Sequence, residues 1–151
     1  MQAVLVTIHL LAAAVWVGGT VALVFVGVPV VARLEGEARG RSMRMLGQRW
    51  RPIGYGALIT LGVTGVPLAA DGWDSGPGFR WTLLAKVLGV AALVTLSVVH
   101  DFVLGPRLAR EVREQREQKS RPLLVAIGRA AFAFTIVVPV LGVALTRLTN
   151  G

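Results

Sequence analysis

The segment QAVLVTIHLLAAAVWVGGTVALVFVGVPVV, residues 2–31, contains no Asp, Glu, Lys or Arg. A helix needs about 20 consecutive, mostly apolar residues to cross the hydrocarbon core of a bilayer, and this segment is long enough to do so. Three further apolar segments follow, at residues 53–70, 81–104 and 122–147. The sequence therefore predicts an all-α protein whose four transmembrane spans form an antiparallel four-helix bundle.

Length and composition agree with a small membrane domain. With 151 residues, of which 54% are hydrophobic, we expect one four-span domain that covers residues 1–151. The first segment lacks a basic start and is longer than the apolar core of a signal peptide, so we interpret it as a retained span. The absence of cysteine excludes disulfides, thiolate metal sites and cysteine-linked haem. No internal repeat is evident on inspection.

The cationic residues indicate an orientation. Twelve of the sixteen Lys and Arg residues lie in two loops, residues 32–52 and 105–121, whereas the loop at 71–80 contains one arginine and two aspartates. Because basic loops are retained in the cytoplasm, we expect an integral protein of the inner (plasma) membrane with both basic loops cytoplasmic and both termini outside. Both clusters begin directly beyond span ends, so the expected partner is the lipid bilayer and not nucleic acid. Arg and Glu alternate at 110–117, which predicts that the third span continues there as a solvated helix.

A few ionisable side chains lie inside the predicted spans. Charged or ionisable groups are costly at membrane depth, so each is a functional candidate. They are His9, Lys86, His100, Asp101 and Arg129. With a rise of about 1.5 Å per residue, His9 and Lys86 both lie about 10 Å inside the outer ends of their spans, and His100 lies about 21 Å deeper than Lys86. We therefore expect His9 and Lys86 to belong to one site, His9 and His100 not to share a metal ion, and Asp101 to pair with Arg129.

Helical periodicity places these residues on two faces. On the first span, His9, Trp16 and Thr20 share one face, and on the third span Lys86 and His100 share another. We interpret His9, Lys86 and Trp16 as cofactor-binding candidates. His9 and His100 are separate metal-ligand candidates, because neutral imidazole is a good metal donor. The structural alternatives stay open: an interhelical hydrogen bond for His9, a lysine that extends to the headgroups, and an interfacial His100–Asp101 pair.

The ordered set of these motifs resembles the CopD family, the copper resistance D domain. The motifs are HLLAAAVWVGG (9–19), Pro29, VTGV (63–66), LLAKVLGV (83–90) and HDFVLGPRLAR (100–110). The resemblance covers nearly the whole chain and implies a polytopic inner-membrane protein associated with copper uptake or tolerance. It matches His9, Lys86 and His100 as polar positions. Copper(I) favours sulfur ligands. The chain has no cysteine, and Met43 and Met45 lie in the first basic loop and not in a predicted span.

A second resemblance is carried by His9, by Trp16 seven residues later, and by Lys86. These positions are similar to those of HemJ, the haem-containing protoporphyrinogen oxidase family, although residues 27–34 and Val99–His100 match its other motifs only loosely. That resemblance implies haem b, with His9 as an axial ligand and Lys86 as second ligand or propionate partner. Copper or haem b, and enzyme or transporter, stay open at this point. So do a homo-oligomer and a non-catalytic subunit of a larger membrane complex.

Overall fold

The computed structural model describes residues 2–149, which are helical in four long spans and contain no strand. The helices are α1 (Gln2–Ala22), α2 (Val28–Ala32), α3 (Gly36–Asp71), α4 (Pro77–Val98), α5 (Gly105–Arg113) and α6 (Ser120–Thr149), with a 3₁₀ turn at Trp73–Ser75. The four spans, each long and apolar enough to cross a membrane, are Gln2–Ala32, Gly36–Asp71, Pro77–Arg113 and Ser120–Leu148. The predicted all-α class with four membrane-spanning helices is confirmed.

The second span begins earlier than the sequence predicts, at Gly36 instead of residue 53. Most of the predicted loop 32–52 is therefore helix. Its residues are mainly good helix formers, and Glu37 forms an ion pair with Arg41 one turn later, at 3.5 Å. Both side chains are exposed, so the pair contributes little and the helix forms by propensity and by continuity with the apolar part.

The third span continues beyond its apolar part, as predicted, but only as far as Arg113. Gln115 has a φ of 51°, a left-handed conformation that a continuing helix does not allow. The carboxylate of Glu111 then accepts hydrogen bonds from the backbone N–H of Ser120 at 3.1 Å and from its hydroxyl at 2.7 Å. Glu111 thereby ties the end of the third span to the first residue of the fourth.

The first and third spans each contain a turn of π-helix, at Leu23–Gly27 and Val99–Leu104. Each π-helical turn is followed closely by a proline, Pro29 or Pro106. Proline has no backbone N–H and its ring crowds the carbonyl four residues earlier, so the regular hydrogen-bond ladder is interrupted there. A widened π turn accommodates that interruption without ending the span.

Contacts divide the described residues into two compact units: one comprises residues 2–80 together with Leu148 and Thr149, and the other comprises Trp81–Arg147. In the first unit α1 packs antiparallel on α3, since His9 meets Thr64 while Gly27 meets Leu46. In the second unit the third and fourth spans are also antiparallel: Lys86 meets Gly142, and His100 meets Gly128. The expectation of a single domain stays a prediction.

The two units repeat each other, with equivalent residues 77 positions apart. FVGVPVVAR (25–33) and FVLGPRLAR (102–110) agree at five of nine positions. Both segments carry the end of a π-helical turn and the following proline. Sequence inspection missed this repeat, because Ala, Val, Leu and Gly interchange freely in apolar spans.

Candidate functional site

The His9 imidazole of α1 is held by a hydrogen bond to α3. Its Nδ1 lies 2.7 Å from the hydroxyl oxygen of Thr64, a residue that is almost fully buried. That hydroxyl donates its proton to the carbonyl of Thr60 at 2.7 Å. A hydroxyl has one proton, so Thr64 accepts from His9, and the network assigns the imidazole proton to Nδ1 and the lone pair to Nε2.

Gly65 gives the imidazole room against α3. A Cβ built at Gly65 would lie 3.4 Å from Cε1 of His9, so the ring packs directly on the backbone of the second span. Thr64 and Gly65 together therefore determine both the tautomer and the position of His9. Sequence reasoning did not identify either residue as part of the site.

Trp16, two helical turns after His9, is buried between α1 and α3. Its ring lies 6.1 Å from that of Trp50, tilted by 37°, and a Cβ at Gly54 would lie 3.0 Å from it. Gly19 is so close to Trp50 that a Cβ there would overlap the indole. These contacts make Trp16 part of the helix packing below His9, and its role as a cofactor-binding residue stays a prediction.

Lys86 of α4 packs against the fourth span in the second unit. Its Nζ lies 3.3 Å from the position that a Cβ on Gly142 would take. One turn later, Gly89 of α4 is buried, and the side chain of Val138 on α6 packs against it. The lysine-bearing face of α4 is therefore directed at α6, and glycine provides the space in which the ammonium group lies.

The repeat makes His9 and Lys86 equivalent positions. Each is paired with a glycine of the second helix in its own unit, His9 with Gly65 and Lys86 with Gly142. Both pairs are related by the same shift of 77 residues. At these equivalent positions each unit thus places a nitrogen-containing side chain against a glycine of its second helix. A site shared by His9 and Lys86 stays a prediction.

His100 lies on the π-helical turn of the third span, where its Nδ1 is 2.9 Å from the Asp101 carboxylate. Its Nε2 lies 3.3 Å from the position of a Cβ on Gly128. The pair predicted between Asp101 and Arg129 is not formed, because Arg129 instead lines an open groove together with Arg121. Equal depth fixes the level of two residues along the membrane normal but not the direction in which their side chains point.

Within residues 2–149, no group of three or more His, Cys, Asp or Glu side chains is arranged to hold a metal ion. A family described as "Domain of unknown function (DUF4149)" matches residues 11–118. The chain belongs to the DUF4149 family. No curated protein and no solved structure matches it.

The DUF4149 match covers the equivalent segments that carry the π-helical turns, and it includes Trp16, Lys86 and His100. It begins two residues after His9. Of the residues that sequence reasoning missed, the glycines opposite His9 and Lys86 do have a signal in this DUF4149 chain, whereas Thr64 has none, because position 141 is leucine. That signal is the constant separation of 77 positions, which becomes visible once the π-helical turns are aligned.

Proposed function

We propose that this DUF4149 chain is a CopD-like membrane protein, associated with copper uptake or tolerance, in which His9 supplies an imidazole donor to the metal. The hydrogen bond from Nδ1 of His9 to Thr64 carries the proposal. Metal-binding histidines usually donate their other ring N–H to a neighbouring acceptor, which sets the tautomer and orients the ring. In this arrangement Nε2 of His9 would be the atom that donates to the metal, and imidazole suits copper.

Lys86 has a different role in this proposal. Its amine is held against Gly142 at membrane depth, where an ionisable group needs a functional reason. An ammonium group has three N–H donors and no lone pair while it is protonated. We therefore assign Lys86 to binding an anionic group, and not to binding the metal.

A haem b protein, with or without HemJ-like oxidase activity, is the second candidate. The observation that favours haem is the small number of metal donors next to His9. The described neighbours of its imidazole are Thr64 and Gly65, and both are poor metal ligands. A porphyrin brings four nitrogen donors of its own, so that one protein imidazole is enough to hold haem iron. Haem b would supply a redox-active iron, His9 would be the residue to hold it, and Lys86 would be the candidate partner of a propionate.

The orientation belongs to the same proposal. Both termini lie outside the inner membrane, and the basic segments 32–52 and 105–121 lie in the cytoplasm, because lysine and arginine concentrate in these two segments. His9 and Lys86 are then reached from the outer side. His100 is about 21 Å deeper than Lys86 along the third span, so we do not assign it to this site.

An absorption spectrum and a metal analysis of the detergent-purified full chain test both candidates. One copper per chain without a Soret band supports the copper assignment, whereas a Soret band supports haem. His9→Ala should abolish either cofactor while the protein still inserts, and His100→Ala should retain it. Full cofactor content in His9→Ala, or the absence of both copper and haem from the wild-type protein expressed with both supplied, would overturn the proposal.

A further inference from the structure

An open groove of about 810 Å³ lies at the start of the fourth span. Arg116, Glu117 and Arg121 line it near the start of α6, and Val125, Ala126 and Arg129 line it further along the helix. All of these residues belong to the second unit. The groove combines cationic side chains with an apolar wall on the helix that begins at Ser120 and continues as the fourth apolar span.

The charges in the groove are unequally compensated. Arg116 pairs with Glu114 at 3.1 Å, and Glu117 pairs with Lys119 at 3.5 Å. By contrast, no carboxylate among residues 2–149 lies within ion-pair distance of Arg121 or Arg129. The groove therefore carries two positive charges that the described part of the chain does not neutralise.

The position of Arg129 makes this lack of a partner costly. It lies eight residues beyond Arg121, which is about 12 Å along the helix axis. A guanidinium at that depth in the span requires water, an anion or a path to the interface. Val125 and Ala126 precede Arg129 by four and three residues, so they lie on its face of the helix. An occupant would meet cations at two levels and apolar side chains between them.

We propose that this groove binds an anionic phospholipid. The two arginines hold its phosphate, and Val125 and Ala126 contact the first part of an acyl chain. Arginine suits this role because its planar fork donates two parallel hydrogen bonds to phosphate oxygens. Basic pockets next to membrane helices bind lipid headgroups by the same combination of charge and apolar surface. The inference needs no particular orientation and no metal or haem.

Native mass spectrometry of the full chain in detergent tests the proposal, with phosphatidylglycerol and phosphatidylcholine as probes. The wild-type protein should retain phosphatidylglycerol in preference to phosphatidylcholine. Arg129→Gln should bind phosphatidylglycerol about fivefold more weakly, which is the effect of one arginine close to anionic lipid. Arg129→Lys should recover part of that loss, because it restores the charge without the fork.

Arg44→Gln is the matched control. Arg44 is the repeat equivalent of Arg121 in the first unit, so this substitution removes the same charge at a position outside the groove. It should leave phosphatidylglycerol retention unchanged, whereas Arg121→Gln should lower it. Arg121 is exposed near the helix start, so this pair of variants decides the question even if Arg129→Gln does not fold. Equal loss in Arg44→Gln and Arg121→Gln would show only general charge attraction and overturn the site. If millimolar inorganic phosphate displaced bound phosphatidylglycerol as strongly as added phosphatidylglycerol does, the phospholipid assignment would be overturned.

Discussion

The Nδ1 atom of His9 lies 2.7 Å from the hydroxyl oxygen of Thr64, a residue 55 positions later in the chain. Because Thr64 gives its own proton to the carbonyl of Thr60, the hydrogen bond has one direction, from imidazole to hydroxyl. This relationship joins the first two spans at the level of the proposed site. It also provides a way to change the histidine's environment without removing the histidine.

Thr64→Val should weaken cofactor binding while leaving His9 in place. Loss of the group that orients a metal-binding histidine typically lowers metal affinity about 10- to 100-fold. Titration of the purified protein with copper or haem measures this change. Thr60→Val is the control, since the Thr60 hydroxyl donates to the carbonyl of Gly56 and not to His9. Equal affinities in the two variants would contradict a role for Thr64 in orienting the imidazole.

Lys86→Met should preserve the fold and impair the anionic contact. Methionine keeps an unbranched apolar chain that fits beside Gly142, and it removes an ionisable group from membrane depth. Thermal unfolding in detergent should therefore show a midpoint equal to or above that of the wild-type protein. Binding of the anionic group that we assign to Lys86, a propionate in the case of haem, should become weaker. A markedly lower midpoint would indicate that Lys86 is needed for packing.

Gly19→Ala should destabilise the first unit. A Cβ at Gly19 would overlap the Trp50 ring, and overpacking of this kind typically costs about 1–3 kcal/mol. The neighbouring Gly18 has open space around it, so Gly18→Ala should be neutral or stabilising by up to about 1 kcal/mol, because alanine is the better helix former. Thermal or denaturant unfolding of the two variants side by side measures the difference, and a tolerated Gly19→Ala would argue against the close approach of Trp50.

Cysteine labelling should establish the orientation, and the native chain has no cysteine to interfere. A cysteine introduced at Ser75, between the second and third spans, should react with a membrane-impermeant maleimide in intact cells. One introduced at Ser42, in the first basic segment, should react only after the cells are opened. The reverse pattern would invert the orientation and place His9 and Lys86 near the cytoplasmic side.

Much of the fold was predictable from sequence, for reasons that are local. An apolar segment of sufficient length must bury its backbone polar groups in a helix when it enters lipid. That requirement depends on composition within one segment, and so the four spans were found. Their ends were less accurate, because residues 36–52 form helix through propensity, which hydropathy does not report. Counting residues along each span also predicts the depths of His9, Lys86 and His100 in the membrane, and these depths stay predictions.

The contacts between helices were decided only by the tertiary structure. His9 contacts Thr64 and Gly65, and Lys86 contacts Gly142. Each contact joins residues more than fifty positions apart, and the alignment of the two helices along their length decides which residues meet. The predicted Asp101–Arg129 pair was wrong because depth specifies one of three coordinates, and the Asp101 carboxylate instead contacts Nδ1 of His100. Hydropathy determines how many helices enter the membrane, because it sums over each segment separately. Close packing determines which side chains meet, because it depends on individual shapes across two segments.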